Sequence, residues 1–426
     1  MDQSILRITK ELADLQRSSD LGIAVACRDI DVRNVKALII GPHETPYEFG
    51  FFEFTLKFHK SYPSDAPNVH GKVCLSILGT WRGERGEEWS SAQGMESILL
   101  SIQSLMSANP YENEPGFENA NTPEDKRKQA AYVQKIRHET LRISVIQRLE
   151  GYLALKPDGT KIAPPSPSDD TDGEVDVDQS TIPFEPFKDL CKRRFLWYFE
   201  SYMAAIRLGQ SETTDGAAFK NMPFESGGGN GMDGKFNYKD LERRLLNIKE
   251  ALGAELITWA KDGQTAQLSD STVAVNLRHQ FDQMVAHFRG GDVPHSVALE
   301  NDNAFVWILT YFGRPMTNLD GGMIRIKLHF SPRFPNEQPR VIFQSKIFHH
   351  LIAPDGTYCY NPPANAVGDV RSHIETILEV LEDDQPAYDP RKIVHPEATK
   401  LYWSQKPDER KQYNRKLRRS VQDSME

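Results

Sequence analysis

Residues 41–58 read GPHETPYEFGFFEFTLKF, and residues 313–330 read GRPMTNLDGGMIRIKLHF. Each stretch opens on the Gly and Pro of a turn and continues as a run rich in apolar and aromatic residues, as a strand does. Each is followed closely by an aromatic residue and a proline, Tyr-Pro in the first and Phe-Pro in the second. A recurring order of elements is typical of a repeated domain. The two stretches therefore predict two copies of one fold.

The residues around the first stretch predict the rest of that fold. Ile5, Ile8, Leu12 and Leu15 recur at three- and four-residue spacing, which predicts an amphipathic helix. Strands are predicted in LGIAVACRD and VKALIIG, and a buried helix in SSAQGMESILLSIQSLMSANP. The same order restarts at about Asp270, with an amphipathic helix and two strands. The predicted fold class is α+β, an antiparallel meander sheet flanked by helices, present twice.

Length and composition predict several domains. A chain of 426 residues exceeds the usual domain size of roughly 100 to 200 residues. Pro, Ser and acidic residues with few large apolar side chains predict a linker, because such a segment cannot offset the entropy of ordering. We predict a first domain over 1–155, an acidic Pro/Ser linker over 156–183, a helical extension with a Gly-rich connector over 184–265, and a second domain over 270–426.

Charge and cysteine content exclude several classes of function. A net charge of −9 argues against nucleic acid as the main partner, because phosphate binding needs a surplus of Lys and Arg. The N-terminus lacks a secretory pattern and no apolar run reaches the roughly 18 residues of a membrane span, so we expect a cytoplasmic or nuclear protein without a membrane partner. Cys27, Cys74, Cys191 and Cys359 are far apart, which argues against disulfides and against a metal site.

The first copy resembles the ubiquitin-conjugating enzymes, in particular their extended Z-type class. The resemblance rests on RITKELADL, GPHETPYEFGFFEF, GKVCLSILGTW and WSSAQGMESILLSIQSLMSANPYENEPGFE, which recur in order between about Ile5 and Leu252. The second copy resembles the same superfamily more weakly, through FPNEQPRVIFQSKIFHHLIAPDGTYCYNPP. The resemblance implies tandem ubiquitin-conjugating folds, the first of them catalytic over 1–155 and the second degenerate.

The resemblance implies thiol chemistry at Cys74. A ubiquitin-activating enzyme would pass ubiquitin or a ubiquitin-like protein to this sulfur as a thioester, and the modifier would then move to a substrate lysine or a ubiquitin ligase. Such a sulfur has to be accessible and not strongly acidic, and a free thiol has a pKa of about 8.5. No cofactor is implied, because ATP is used upstream by the activating enzyme. The implied partners are the modifier, the activating enzyme, a ligase and protein substrates.

The segment before Cys74 departs from the family. Its members carry an Asn-containing motif eight residues before the cysteine, and an amide there can stabilise the tetrahedral oxyanion. Here YPSDAPNVHGKVC runs from the Tyr-Pro turn almost directly into the cysteine phrase, so about 18 residues are missing, and Asn68 lies only six residues before Cys74. We assign Asn68 no oxyanion role. A skipped coding segment and a real loss of activity both explain the gap.

Other positions carry over from the family with a structural alternative beside each. Glu112 is a candidate acidic gate beside the incoming lysine, or a solvated loop acid. Trp89 matches the tryptophan that packs behind the active-site loop, and it does so better than Trp81. Arg7 and Lys10 are candidate contacts for the activating enzyme, or a solvated helix face. Ser64 replaces the aromatic residue with which many relatives dock ligases.

The second copy retains part of the active-site pattern. Cys359 follows Gly356 as Cys74 follows Gly71, and His349 precedes it by ten residues, so Cys359 is a candidate second thioester site. Leu351 fills the Asn position and cannot donate a hydrogen bond to an oxyanion. The alternative is a fold retained for binding. For the whole chain, the main rival to an enzyme is an inactive scaffold or ubiquitin-binding adaptor; an RWD-like module is disfavoured because such domains lack GKVCLSILGTW.

Overall fold

The computed structural model describes residues 2–18, 21–70, 78, 88–163, 183–225, 232–291 and 294–425. Within them the chain forms two four-stranded antiparallel sheets, each with consecutive strands as neighbours and with flanking helices. The predicted α+β class with tandem copies is confirmed.

The first sheet is a meander whose strands are β1 Ile23–Arg28, β2 Asp31–Ile40, β3 Phe51–Lys57 and β4 Asn68–His70. Apolar side chains on one face of these strands form the first core with helices α1 Gln3–Arg17 and α2 Met95–Ser104. The predicted helix stripe is the reason that α1 packs there, because Ile8 and Leu12 on that stripe are buried.

The second sheet consists of β5 Ser296–Glu300, β6 Asn303–Phe312, β7 Met323–His329 and β8 Arg340–Phe343. Its strand pairing repeats that of the first sheet with one constant offset in residue number. Val35 pairs with Leu56, and Trp307 pairs with Leu328. The same offset relates the bulges at the ends of β1 and β5, and the cis prolines Pro63 and Pro335.

This constant offset persists into the fourth strand and is then lost. Leu56 pairs with Val69 in the first sheet, and Leu328 pairs with Val341 in the second. Val69 is five positions before Cys74, whereas many more residues separate Val341 from Cys359. The first copy is therefore shorter than the second between its fourth strand and its cysteine.

In the second copy the extra residues return along β8. Thr357 bridges to Ile342, Tyr358 bridges to Ile352, and the Phe343 N–H donates to the Gly356 carbonyl oxygen at 2.8 Å. Gly356 has a φ of +89°, and a Cβ there would lie 2.3 Å from the Phe343 carbonyl oxygen. A glycine is therefore required where the segment turns back onto the strand.

Eight further α-helices are assigned in the described residues: α3 Pro123–Glu139, α4 Arg148–Leu153, α5 Lys188–Glu212, α6 Tyr238–Leu268, α7 Thr272–Gly290, α8 Val370–Glu382, α9 Pro396–Tyr402 and α10 Pro407–Asp423. A π-helix, Thr140–Gln147, joins α3 to α4 and has a wider turn than an α-helix. On α5 the side chains of Cys191, Tyr198 and Tyr202 are buried, and Cys191 is fully covered.

The chain divides into two compact units that share the predicted helical extension. Residues 1–191 and 206–248 form the first unit, and residues 192–205 and 249–426 form the second. Single long helices contribute residues to both units, and the expected domain bounds at 155, 183 and 265 stay a prediction. Periodicity in a sequence reports a helix but not which neighbours its successive turns contact.

Candidate thioester site

Cys74, the predicted thioester carrier, lies outside the described residues, as does Trp81. The structure describes the strand that leads to Cys74 and the helix that follows it. β4 ends at His70, four residues before the cysteine, and α2 begins at Met95. These two elements hold the ends of the segment that contains Cys74.

Trp89, in the segment before α2, contacts the Tyr62–Pro63 turn. Its indole Nε1–H donates to the Pro63 carbonyl oxygen at 2.8 Å, and its ring centroid lies 6.0 Å from that of Tyr62. The ring is half-buried and packs against the first core. The residue thus connects the segment before α2 to the Tyr-Pro turn, and its role beside Cys74 stays a prediction.

Glu11 of α1 binds three groups: the Tyr62 hydroxyl, the backbone at the start of α2, and the Arg7 side chain. Its Oε2 accepts a hydrogen bond from the Tyr62 hydroxyl at 2.6 Å and from the Met95 backbone N–H at 2.9 Å, while its Oε1 binds Arg7 Nε. A carboxylate at the N-terminus of α2 also interacts favourably with the positive end of the helix dipole. Glu11 therefore fixes the start of α2 and the Tyr-Pro turn together.

Sequence analysis did not identify Glu11, because an acid on a charged helix face resembles a solvated side chain. A local signal existed in its i+4 spacing from Arg7, which is typical of a helical ion pair. Burial and the hydrogen bond to Glu11 raise the pKa of the Tyr62 hydroxyl, so this phenol stays protonated and continues to donate.

The two candidate contacts for the activating enzyme differ in their surroundings. Arg7 is held by Glu11, which raises the pKa of the guanidinium, and its Nη2 lies 3.5 Å from the Gln93 carbonyl oxygen. Lys10 is exposed on the same helix. Arg7 thus has an internal structural role, whereas Lys10 presents its charge to solvent.

Glu112, the candidate acidic gate, lies in a short 3₁₀ helix, Pro110–Asn113, and is exposed. Gln129 Nε2 donates to its carboxylate at 3.4 Å. The nearby Glu114 is more covered, and burial together with the charge of Glu225 raises the pKa of Glu114. The exposed position of Glu112 is compatible with either interpretation of that residue.

Cys359, the candidate second thioester site, is a core residue in this structure. Its side chain is buried with 2% of the residue exposed, and burial raises the pKa of the thiol to about 12. Its backbone N–H donates to the Leu351 carbonyl oxygen at 2.9 Å, and the Leu351 N–H donates to His349 Nδ1 at 3.2 Å. A modifier's C-terminus cannot reach this sulfur in the observed conformation, and a thiol of such high pKa is a poor nucleophile at neutral pH.

His349 and Leu351 are buried as well, so neither lines an open cleft. Burial lowers the pKa of His349 to about 3, so the ring is neutral at physiological pH and accepts the Leu351 N–H. In the part of the chain that the structure describes, no cluster of three or more His, Cys, Asp or Glu side chains could hold a metal ion. The helices of that part include none that is long and apolar enough to cross a bilayer.

Comparison with known proteins identifies the family of this fold. The model of the ubiquitin-conjugating enzyme family matches residues 7–140 and 290–421, so each copy is matched and the matches include Cys74 and Cys359. Ubiquitin-conjugating enzyme E2 Z from Homo sapiens is 35% identical over 223 residues, 48% of this chain and 53% of that protein. The E2 Z of Danio rerio is 42% identical over 167 residues, 35% of this chain and 49% of that protein.

A third relative is far longer. The dual E2 ubiquitin-conjugating enzyme/E3 ubiquitin-protein ligase BIRC6 of Homo sapiens is 35% identical over 156 residues, 32% of this chain and 3% of that protein. The chain spans about half the length of the E2 Z relatives that it matches. Because the family matches in both copies together cover more than half of the chain, and because both copies have the sheet and helices described above, this chain belongs to the ubiquitin-conjugating enzyme family.

Proposed function

We propose that this protein is a conjugating enzyme that carries ubiquitin or a ubiquitin-like protein as a thioester on Cys74. The observation that carries the proposal is the position of Cys74 inside the matched region 7–140, four residues after β4. The thiols of Cys191 and Cys359 are buried, and burial raises the pKa of the half-buried Cys27 thiol. These environments favour Cys74 over the other cysteines as the nucleophile.

The proposed reaction exchanges one acyl bond for another. The Cys74 sulfur attacks the carbonyl of the thioester between the modifier's C-terminal glycine and the activating enzyme; that bond breaks as the new one forms, and the leaving thiol takes a proton. A substrate amine or ligase thiol then attacks the Cys74 thioester and returns the Cys74 thiol. ATP is consumed only upstream, when the activating enzyme forms the first thioester.

The contacts of Glu11 and Trp89 support a positioning role for both residues. They hold the start of α2 and the two ends of the Tyr-Pro turn, and a reacting carbonyl has to be placed within a fraction of an ångström for efficient transfer. We assign no oxyanion donor, because Asn68 lies on β4 only six residues before Cys74 instead of the eight that the family has.

A charging assay tests the proposal. The full chain is incubated with activating enzyme, Mg·ATP and ubiquitin, and the products are separated without and with reductant. We expect a slower band that reductant removes, and Cys74→Ser should give an ester band that reductant leaves intact. Cys359→Ser is the matched control and should charge like the wild type. Identical non-reducing gels for wild type and Cys74→Ala would contradict the proposal, as would loss of charging in Cys359→Ser alone.

One observation favours a second candidate, an inactive scaffold or ubiquitin-binding adaptor. The first copy has a shorter segment than the second between the paired residue of its fourth strand and the cysteine. A shortened approach could remove the groups that stabilise the transition state while leaving binding surfaces in place. Saturable binding of ubiquitin without charging by any activating enzyme would favour this candidate over the enzyme.

A further inference from the structure

The second unit contains a pocket of about 130 Å³ beside strand β8. One side is formed by helix faces: α5 contributes Trp197, and α6 contributes Leu252 and the adjacent Gly253. The other side is β8 with the segment that returns along it, which contribute Val341 and Tyr358. All of its walls belong to the one compact unit.

The base of the pocket is apolar. Trp197, Leu252, Val341 and Tyr358 are all buried. An apolar cavity of similar size, about 150 Å³, binds a benzene ring, so the base has room for one large apolar side chain. A base of this kind selects for hydrophobicity and size but not for orientation.

The mouth of the pocket carries the polar groups. Arg193 and Lys249 are half-buried there, and Asp355 is exposed with its carboxylate 3.0 Å from Lys249 Nζ. Arg340 lines the pocket and donates from Nη1 to the Gln338 carbonyl oxygen at 2.7 Å. The walls thus hold three cations and one acid.

This charge balance favours an anion next to the apolar base. A guanidinium has five N–H donors, so an arginine with other partners can still bind a carboxylate. Carboxylates are bound well by this planar group, and partial burial strengthens such a contact relative to water. The occupant that satisfies both parts is a carboxylate joined directly to a large apolar group.

We propose that this pocket binds the C-terminal residue of a partner polypeptide, with its large apolar side chain in the base and its free carboxylate at the cationic mouth. The two features coincide in a polypeptide only at its last residue, and capture of a terminal carboxylate is an established mode of peptide recognition. The inference rests on the proposed function for its purpose: the degenerate copy selects substrates by their C-terminus while Cys74 supplies the modifier.

Gly253 provides a way to close the pocket without damaging the fold. It lies in the middle of α6, lines the pocket and is exposed, and a Cβ added to it meets no atom within 4 Å. Because Gly253 lines the pocket, Gly253→Leu should narrow the pocket without a backbone clash, and leucine is a better helix former than glycine. Gly290→Leu is the matched control, because Gly290 also lies in a helix of the second unit with open space around its Cβ position, but away from the pocket.

The test measures binding of fluorescein-labelled GSGSGSGF to the uncharged full chain by fluorescence anisotropy. We expect saturable binding, weakened about tenfold or more when the peptide ends in an amide or in alanine, since a lost charged or apolar contact of about 1.4 kcal/mol has that effect. Gly253→Leu should weaken binding about tenfold or more, and Gly290→Leu should leave it unchanged. Arg193→Gln should weaken binding of the acid and not of the amide.

Several outcomes would overturn the inference. Equal binding of the peptide acid and the peptide amide would exclude a role for the carboxylate. Binding by Gly253→Leu as strong as that of the wild type would exclude this pocket as the binding site. Binding of free 3-phenylpropionate without binding of the peptide would identify a small-molecule site instead. Because binding is measured without activating enzyme, its failure is distinct from a failure of Cys74 to charge, which the same variants report separately.

Discussion

Substitution of Glu11 is expected to destabilise the first copy through three lost contacts at once. Glu11→Ala leaves the Tyr62 hydroxyl, on a residue that is 2% exposed, and the Met95 N–H without their acceptor. Hydrogen bonds to a charged group contribute about 1.5–3 kcal/mol each. The Arg7 side chain is 40% exposed, so its ion pair adds about 1 kcal/mol or less after solvent screening. We expect a loss of about 3–7 kcal/mol in the free energy of unfolding.

Glu11→Gln separates charge from geometry. A glutamine can place its carbonyl oxygen toward Tyr62 and Met95 and keep both hydrogen bonds, but neutral bonds are roughly half as strong as charge-assisted ones. The expected loss is about 1.5–3 kcal/mol, half of what the two charge-assisted bonds contribute. Tyr62→Phe combined with Glu11→Gln should cost less than the sum of the single changes, because the two groups share one bond.

The assay is urea unfolding followed by tryptophan fluorescence, with initial charging rates measured on the same proteins. Trp89, one of six tryptophans in the chain, contributes the signal of the first copy, since its ring lies next to that of Tyr62. Glu11→Ala should slow charging at temperatures where the protein remains folded, because the start of α2 and the Tyr-Pro turn lose their common anchor. Lys10→Gln is the control for surface charge on α1 and should leave stability unchanged. A Glu11→Ala protein whose stability lies within about 0.5 kcal/mol of the wild type, the range of an ordinary surface substitution, would refute this reasoning.

Three further outcomes are expected. Lys135 is fully buried beside Glu225, with its Nζ 2.5 Å from the Glu225 Oε1. Lys135→Met should lower the free energy of unfolding by about 3–5 kcal/mol, and changing both residues to methionine should recover part of this loss in urea unfolding. No recovery would contradict a buried ion pair. Burial lowers the pKa of His329 to about 4 and that of His349 to about 3, so below pH 6.5 the unfolded chain binds more protons than the folded chain. The contribution of these residues to stability is complete above about pH 6.5 and should fall as the pH drops toward 4, less steeply in His329→Phe, as monitored by circular dichroism. An unchanged slope would argue against this. The Cys359 thiol should resist alkylation at pH 8 until urea is added, by mass spectrometry, whereas rapid native labelling would show an open site.

The order of elements and the repeat were predictable from the sequence because both depend on local patterns. Alternation predicts a strand and a three-to-four spacing predicts a helix wherever they occur. Two stretches with the same order, such as 41–58 and 313–330, predict two copies without any knowledge of contacts. The shortened segment before Cys74 was also predictable from the sequence, since counting residues requires no coordinates.

The environments of particular side chains were decided by tertiary structure. The sequence places Glu11 on a charged helix, and only the fold brings it to Tyr62, 51 residues away, and to Met95, 84 residues away. Cys359 has a sequence context like that of Cys74, yet only the fold buries its thiol, within reach of the charges of Arg194 and Lys392. Division of α5 and α6 between two units is likewise invisible in their periodicity. A pattern along the chain shows which face of an element is apolar. Reactivity and partner choice depend on which residues, distant in sequence, bury that face or a single reactive atom.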